Sequence, residues 1–190
     1  MRRPVLILLA IATLTLALRA QQPVPRAEYP RPQLQRDAWL NLNGRWEFEF
    51  DDTNVGLAEG WADGTRRFSR TIVVPFAFES PASGIGDRSF HPWVWYRRNV
   101  TVPTEWKGKR IILNFGAVDY RAQVWVNGKA AGSHEGGNTP FWFDVTPLVK
   151  AGENTITVRA EDPPTDRSIP RGKQFWEPES RSIFYTRTSG

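Results

Sequence analysis

Two carboxylates near the C-terminal end of this 190-residue chain, Glu177 and Glu179, are of the residue type that hydrolysis of an acetal requires. Two positions apart on a strand, they would share one face of a sheet. A catalytic pair instead opposes its carboxyl groups across the scissile bond, about 5–5.5 Å apart when configuration is retained. Because Pro178 separates these two and a polar loop precedes them, we assign neither a catalytic role.

A second set of polar residues precedes this pair, in the run Arg171-Gly172-Lys173-Gln174-Phe175-Trp176. Cations, an amide and an indole close together are what a pocket for a hydroxyl-rich ligand requires. The amide of Gln174 can both donate and accept hydrogen bonds. We therefore predict substrate-binding roles for Arg171, Lys173, Gln174 and Trp176. The alternative is a loop that only packs against other parts of the protein.

Motifs for metals and cofactors are incomplete. His134-Glu135 begins like the zinc motif H-E-x-x-H, but Asn138 stands where the second histidine would be. With only two histidines, His91 and His134, and no cysteine, the chain offers few zinc ligands. The run 84–86 has two glycines but lacks the further glycines and the following helix of a phosphate-binding loop. We therefore expect neither a metal nor a cofactor.

The first 20 residues predict a secretory signal peptide. Arg2 and Arg3 supply a basic start, residues 5–18 are almost wholly apolar, and Ala20 is a small residue suited to a cleavage point. A membrane anchor is the weaker alternative, because a helix that crosses a bilayer needs about 20 apolar residues. We expect a secreted or periplasmic protein with no membrane attachment after cleavage, and the lack of cysteine excludes disulfides.

The net charge gives no reason to expect a nucleic-acid partner. The formal charge of the whole chain is +5, from 25 basic and 20 acidic residues. Removal of the three arginines in the leader lowers the basic count to 22, close to the acidic count. No dense cluster of lysine and arginine remains to form an electrostatic footprint.

The remainder of the chain predicts an all-β domain after a short arm. Residues 21–36 contain four prolines and predict an extended linker, or an arm lying across the domain surface. From residue 37, apolar and polar residues alternate in short runs, as in 46–50, where the glutamates are expected to face water. Eight or so such strands, with no amphipathic helix longer than a turn or two, predict a β-sandwich.

Two local features sharpen this prediction. Asn127-Gly128 follows the strand-forming run 124–126 and fits a type I′ turn, with residues 129–133 as the returning strand and a break at 134–137. Arg98 falls on the apolar face of the strand predicted over 94–102. Because a buried guanidinium needs partners, we expect a carboxylate or several backbone carbonyls around Arg98.

Several motifs in a fixed order together resemble the N-terminal sugar-binding domain of glycoside hydrolase family 2, the family of β-galactosidases, β-glucuronidases and β-mannosidases. Each motif is weak alone, but their order and spacing are specific, and they span nearly all of the chain after residue 37. The motifs lie at residues 41–48, 95–98, 116–120, 124–129, 132–137, 140–146, 152–159, 171–176 and 183–186.

The resemblance implies a jelly-roll β-sandwich, like galactose-binding domains, over residues 37–190. It also implies that the chain stops before one last strand, an immunoglobulin-like domain and a catalytic barrel, so that a sheet edge should stand open. Some β-galactosidases of the family resemble this sequence but place an acidic residue near Gln174, which leaves the sugar and any bound cation open.

The resemblance therefore predicts the non-catalytic sugar-binding domain of a secreted enzyme that hydrolyses β-glycosides with retention. Its expected partners are a carbohydrate and the C-terminal domains of the same protein. One alternative is a free-standing carbohydrate-binding module, which needs a row of exposed aromatics such as Trp93, Trp142 and Trp176. Another is a structural or interaction domain that has no ligand.

Overall fold

The computed structural model describes residues 23–163, 165–170, 172, 174, 175 and 177. In this part of the chain, eight strands form two antiparallel sheets, joined by turns and four short 3-10 helices. The strands are β1 (Gly44–Phe50), β2 (Arg70–Val74), β3 (Trp93–Val102), β4 (Ile112–Phe115), β5 (Arg121–Val126), β6 (Lys129–Glu135), β7 (Phe141–Asp144) and β8 (Gly152–Glu161). The 3-10 helices are Pro32–Leu34, Trp61–Asp63, Pro81–Ser83 and Thr104–Trp106. Among the described residues, no helix is long and apolar enough to span a membrane.

The larger sheet has six strands in the order β2-β1-β3-β8-β5-β6, and the smaller sheet pairs β4 with β7. This arrangement confirms the predicted all-β jelly-roll sandwich. The central pair, β3 and β8, is joined over ten residue pairs, from Trp93 with Glu161 to Val102 with Gly152. Strand β2, which precedes Pro75, lies at one edge of the sheet. A proline, which has no backbone N–H to donate, is tolerated next to an edge strand.

The main core lies between the two sheets. Apolar residues alternate along most of the strands, so that one face of these strands can be buried against the other sheet. Phe48, Ile72 and Val124 in the larger sheet are fully buried, and Leu113 and Phe143 of the smaller sheet pack against the same cluster. Burial of apolar surface at about 25 cal/mol per Å² is the main force that holds the sheets together.

The second face of the larger sheet is also buried, which the alternation did not predict. The segment between β1 and β2 folds back over this face and forms a second core of Trp61, Phe68 and Trp95. The Trp95 indole also stacks on that of Trp125, with 5.5 Å between ring centroids. Glu49, which was expected to face water, is therefore buried, and so are Thr157 and Arg159 of β8.

Asp51 fixes the start of this covering segment. Its carboxylate is 2% exposed and accepts hydrogen bonds from the backbone of Val55 and Gly56 and from the Trp95 indole, at 2.8, 3.0 and 2.9 Å. A Cβ atom at Gly56 would lie 2.6 Å from the Trp95 Nε1 atom. A glycine is therefore needed where the segment crosses the indole.

Two adjacent arginines on β3 serve the two faces of the sheet. Arg98 donates from Nη1 to the carbonyls of Leu42 and Asn43, at 2.7 and 2.9 Å, which confirms the predicted carbonyl partners. Arg97 is buried on the other face, where it donates to the carbonyls of Trp61 and Arg66. Burial lowers the pKa of both guanidinium groups. Arg97 thus ties the covering segment to the sheet.

The turn between β5 and β6 has the predicted form. Asn127 and Gly128 both have positive φ, 52° and 75°, as a type I′ turn requires. The returning strand is longer than predicted, since it runs to Glu135 and breaks at Gly136. The reason is pairing across the hairpin, in which Arg121 opposes Glu135 and binds its carboxylate at 2.9 Å.

Near this turn, a network of amides closes one end of the sandwich, which we call the amide end (Asn127, Asn154 and Lys150). Asn154 is 2% exposed. Its Oδ1 atom accepts from Asn127 Nδ2 and the Lys150 amide, and its Nδ2 atom donates to the carbonyls of Lys150 and Gly152. The full hydrogen-bonding capacity of the Asn154 amide is satisfied.

The described part of the N-terminal arm contacts the domain. Side-chain amides of Asn41 and Asn43 donate to the carbonyls of Arg26 and Pro25, at 2.8 and 3.0 Å. The Tyr29 ring meets the edge of Trp39 at 4.7 Å. These contacts join the arm to the residues that precede β1.

Candidate functional site

Loops from distant parts of the chain meet at the end of the sandwich opposite the amide end. We call this the carboxylate end (Glu79, Asp119, Asp162 and Gln174). Backbone hydrogen bonds join the loops, because Tyr120 N–H donates to the Glu161 carbonyl at 3.0 Å and Asp162 N–H donates to the Pro92 carbonyl at 2.8 Å. The strands thereby hold three acidic side chains near one another.

Asp119 lies just before β5 and is partly buried. Burial, followed by the negative charges of Asp162 and Glu79, raises the pKa of Asp119 to about 7. The carboxyl group is therefore divided between its neutral and ionised forms near neutral pH. In that state it can either donate a hydrogen bond or accept one.

The backbone of Gly137 lies directly against this carboxyl group. A Cβ atom built at Gly137 would lie 2.0 Å from Asp119 Oδ1 and 2.5 Å from Asp119 Cγ. Any other residue would displace Asp119. The glycine of the His134-Glu135-Gly136-Gly137 motif is thus needed for a close approach.

Gln174 is the predicted site residue that the structure describes, and it lies at this end. Its side chain is 6% exposed, and its Nε2 atom donates to Asp162 Oδ2 at 2.6 Å. Its Oε1 atom is buried and has no hydrogen-bond partner within the described part of the chain. A buried acceptor without a partner costs free energy, and the hydroxyl group of a ligand or water would relieve that cost.

Flanking charges fix the rim of the carboxylate end. Arg121 bridges Glu135 and Glu161, at 2.9 and 3.1 Å. Beneath the rim, burial and the charge of Glu79 raise the pKa of Tyr96. The phenol of Tyr96 therefore stays neutral, and the negative charge of the site belongs to the carboxylates.

Other residues singled out from the sequence fall in different places. Arg171, Lys173, Trp176 and Glu179 lie outside the described residues, so their predicted roles stay predictions. His134 belongs to β6 rather than to a loop, and its ring stacks on Phe141 at 4.2 Å. Within the described ranges, no group of three or more His, Cys, Asp or Glu side chains could hold a metal ion.

The sequence analysis missed Asp119, Asp162 and Glu79 as site residues. Asp119 stands in one of the motifs that carried the resemblance, but nothing in the local sequence shows that Asp162 approaches it. A usable signal was the pair of glycines at 136 and 137, since adjacent glycines after a strand mark a close backbone approach.

The carboxylate end brings together a carboxyl group with a raised pKa and a buried amide oxygen that lacks a hydrogen-bond partner among the described residues. Such groups bind hydroxyls. A family model described as "Glycosyl hydrolases family 2, sugar binding domain" matches residues 40–162. The chain belongs to glycoside hydrolase family 2, as its sugar-binding domain.

Individual relatives agree with this membership. The chain is 33% identical to the β-glucuronidase of Felis catus over 164 residues, which are 80% of this chain and 25% of that enzyme. It is 32% identical to a β-galactosidase of Thermoanaerobacter pseudethanolicus over 130 residues, or 65% of this chain and 16% of that enzyme. The chain thus spans about a quarter or less of these relatives.

Solved structures show the same partial overlap. The Ruminococcus gnavus β-glucuronidase superposes with a TM-score of 0.58 at 32% identity, covering 64% of this chain and 21% of that one. A Lactobacillus rhamnosus β-glucuronidase superposes with a TM-score of 0.56 at 37% identity, over 64% and 20% of the two chains. In both cases the matched region is about a fifth of the solved chain.

Proposed function

We propose that the carboxylate end forms one wall of the substrate pocket of a complete β-glycosidase, whose catalytic groups lie on other domains. The observation that carries this proposal is the convergence of Asp119, Asp162 and Gln174, with a raised pKa on Asp119 and a buried acceptor on Gln174. Both features are unfavourable for the isolated domain and favourable for binding a hydroxyl-rich ligand.

In this proposal, the neutral form of Asp119 donates to a sugar oxygen and the ionised form accepts from a sugar hydroxyl. Gln174 holds Asp162 in place through Nε2 and offers Oε1 to a hydroxyl group. Arg171, Lys173 and Trp176, which stand near Gln174 in the sequence, are proposed to bind the same ligand. The domain thereby orients the sugar while other domains carry out hydrolysis with retention.

The parent enzyme is proposed to be secreted or periplasmic. The basic start, apolar run and small residue at position 20 support export through a signal peptide. A chain without cysteine folds in an oxidising compartment with no risk of mispaired disulfides. Detection of the mature N-terminus near residue 21 by mass spectrometry would test this assignment.

The alternative of a module with a row of aromatics gains little support. Trp93 is half-buried in the larger sheet, whereas Trp142 is 57% exposed on the smaller sheet. The two indoles therefore cannot form one row on one sheet face. Trp176, the third indole, lies outside the described residues.

Two measurements test the proposed function. The source DNA beyond codon 190 should continue in frame into a barrel with paired glutamates, and a stop codon there would contradict the proposal. In the enzyme so encoded, Asp119→Ala should raise KM for nitrophenyl β-glycosides far more than it lowers kcat. The matched control is Asp63→Ala, because Asp63 is an exposed acid in the covering segment.

A further inference from the structure

The outer face of the smaller sheet carries an exposed indole among polar groups. Trp142 on β7 is 57% exposed, and Asn114 on β4 lies directly opposite it across the strand pair. Ile112 and Asp144 form the neighbouring pair on the same face. A single exposed indole is ordinary on a protein surface, but its flat apolar face is available for a ligand ring to stack on.

Two arginines flank this indole. A cavity of about 210 Å³ is lined by Arg36, Arg110, Ile112, Asn114 and Trp142. It is smaller than the roughly 300–1,000 Å³ of pockets for drug-sized ligands, and a single sugar ring is the size of ligand that suits it. Arg36 comes from the N-terminal arm, so the arm and the sheet build the cavity together.

The charge of the cavity is positive. Asp144 is already neutralised, because it binds Arg110 Nε at 2.6 Å and accepts from the Thr146 hydroxyl at 2.6 Å. Arg36 has no ion-pair partner among the described residues, and the Arg110 guanidinium lies 6.0 Å from the Trp142 ring centroid. A ligand with a carboxylate would complement Arg36, while its ring covers the indole.

We propose that this face is a second carbohydrate site, separate from the carboxylate end, which binds a uronate residue of an acidic saccharide. The apolar face of the pyranose ring stacks on the Trp142 indole. The Arg36 guanidinium binds the carboxylate of the uronate, and Asn114 bonds to a ring hydroxyl. The site holds an acidic glycan against the surface and takes no part in bond cleavage.

Calorimetric titration of the full chain with trigalacturonate and with galactotriose tests this proposal. Trigalacturonate should bind more tightly than galactotriose, and added salt should reduce the difference. Trp142→Ala should weaken binding of trigalacturonate roughly tenfold or more, as expected when a central aromatic anchor is removed. Leu57→Ala, which removes an exposed apolar side chain elsewhere, should leave binding unchanged.

The role of charge is tested by Arg36→Gln, which should weaken the binding of trigalacturonate and leave the binding of galactotriose unchanged. The matched control is Arg67→Gln at an exposed position, which should change neither affinity. Asp63→Asn, at an exposed acid in the segment that covers the larger sheet, should alter neither titration. Equal affinity for both saccharides, no binding of either, or an unchanged affinity in Trp142→Ala would overturn the proposal. So would loss of self-association in Trp142→Ala, measured by sedimentation, without loss of sugar binding.

Discussion

The two ends of the sandwich differ in whether their buried polar groups have hydrogen-bond partners. At the amide end, Asn154 is neutral and every polar atom of its side chain has a partner. At the carboxylate end, Asp119 faces two like charges and Gln174 Oε1 lacks a partner among the described residues. One end stabilises the fold, and the other keeps unfavourable interactions that a ligand can relieve.

The same contrast appears in the acids themselves. Hydrogen bonds from Thr146, followed by those from Arg110, lower the pKa of Asp144 to about 2 near the amide end. Burial and like charges raise that of Asp119 to about 7. The contributions of Asp144 and Asp119 to the free energy of unfolding should therefore depend on pH in opposite directions. Substitution of either acid, or of its neighbours, should remove its contribution.

The largest effect is expected at the amide end. Asn154→Ala removes four hydrogen bonds at a buried position and leaves the carbonyl and amide groups of Lys150 without partners, so unfolding should become easier by about 3 kcal/mol. Urea unfolding followed by fluorescence measures the change. Asn99→Ala, which removes one exposed bond to Thr155, is the control and should cost little. If Asn154→Ala lowered the free energy of unfolding by less than Asn99→Ala does, the hydrogen-bond network would not stabilise the amide end.

The second effect concerns the close approach at the carboxylate end. Gly137→Ala forces a methyl group against Asp119 and should destabilise the fold by about 1–3 kcal/mol. Gly116→Ala is the matched control, because a Cβ atom there has no heavy atom within 4 Å. If the two variants unfold at the same urea concentration, the packing of Gly137 on Asp119 is not needed.

The third effect is the pH dependence of Asp119. Its folded pKa of about 7 lies above its ordinary value of 3.8, so the folded state binds more protons between those values and stability falls as pH rises toward 7. Asp119→Asn should remove this slope and stabilise the protein at pH 8 by on the order of 1 kcal/mol, after allowance for solvent screening.

Urea midpoints at pH 5 and pH 8, for the native protein and the variant, check this expectation. Asp63→Asn serves as the control, because hydrogen bonds from Thr65 lower rather than raise the pKa of that acid. If the difference in urea midpoint between pH 5 and pH 8 were the same in Asp119→Asn as in the native protein, the pH dependence would belong to other groups.

The smallest effect is expected near Asp144. Thr146→Val removes the hydroxyl that donates to Asp144, so the pKa of Asp144 should rise toward 3.8, which carboxyl NMR can measure directly. The contribution of Asp144 to stability is present above pH 4 and is lost as pH falls through its folded pKa. Thr101→Val, at an exposed position of β3, should leave the titration of Asp144 unchanged.

Local sequence patterns were sufficient to predict that the chain forms short strands and which side of several strands faces the main core. Phe48 and Ile72 are buried as alternation requires, and the Asn127-Gly128 turn has the predicted geometry. Alternation failed for Glu49, because the segment after β1 covers the second face of the sheet. This covering segment is held by contacts between Trp61 and Trp95, which are distant in sequence. Alternation within a single strand therefore cannot predict it.

The candidate site was only partly predictable for a similar reason. Gln174 was predicted from the polar and aromatic residues of its segment, which also belongs to the family resemblance, but its contact with Asp162 was not predicted. Asp119 and Asp162 are ordinary acids in their own segments, and their interaction exists only after β5 and β8 pair. Perturbed ionisation of this kind is a property of the assembled sheet rather than of any motif.

The pairing of β3 with β8 also has a consequence for folding. These central strands come from the middle and the last third of the described chain, so the sheet cannot close until Glu161 has been synthesised. Until then, β3 presents an unpaired edge, and non-local closure of this type makes folding slow. A chain that remains open for so long is exposed to aggregation, and a chaperone that shields β3 would increase its yield.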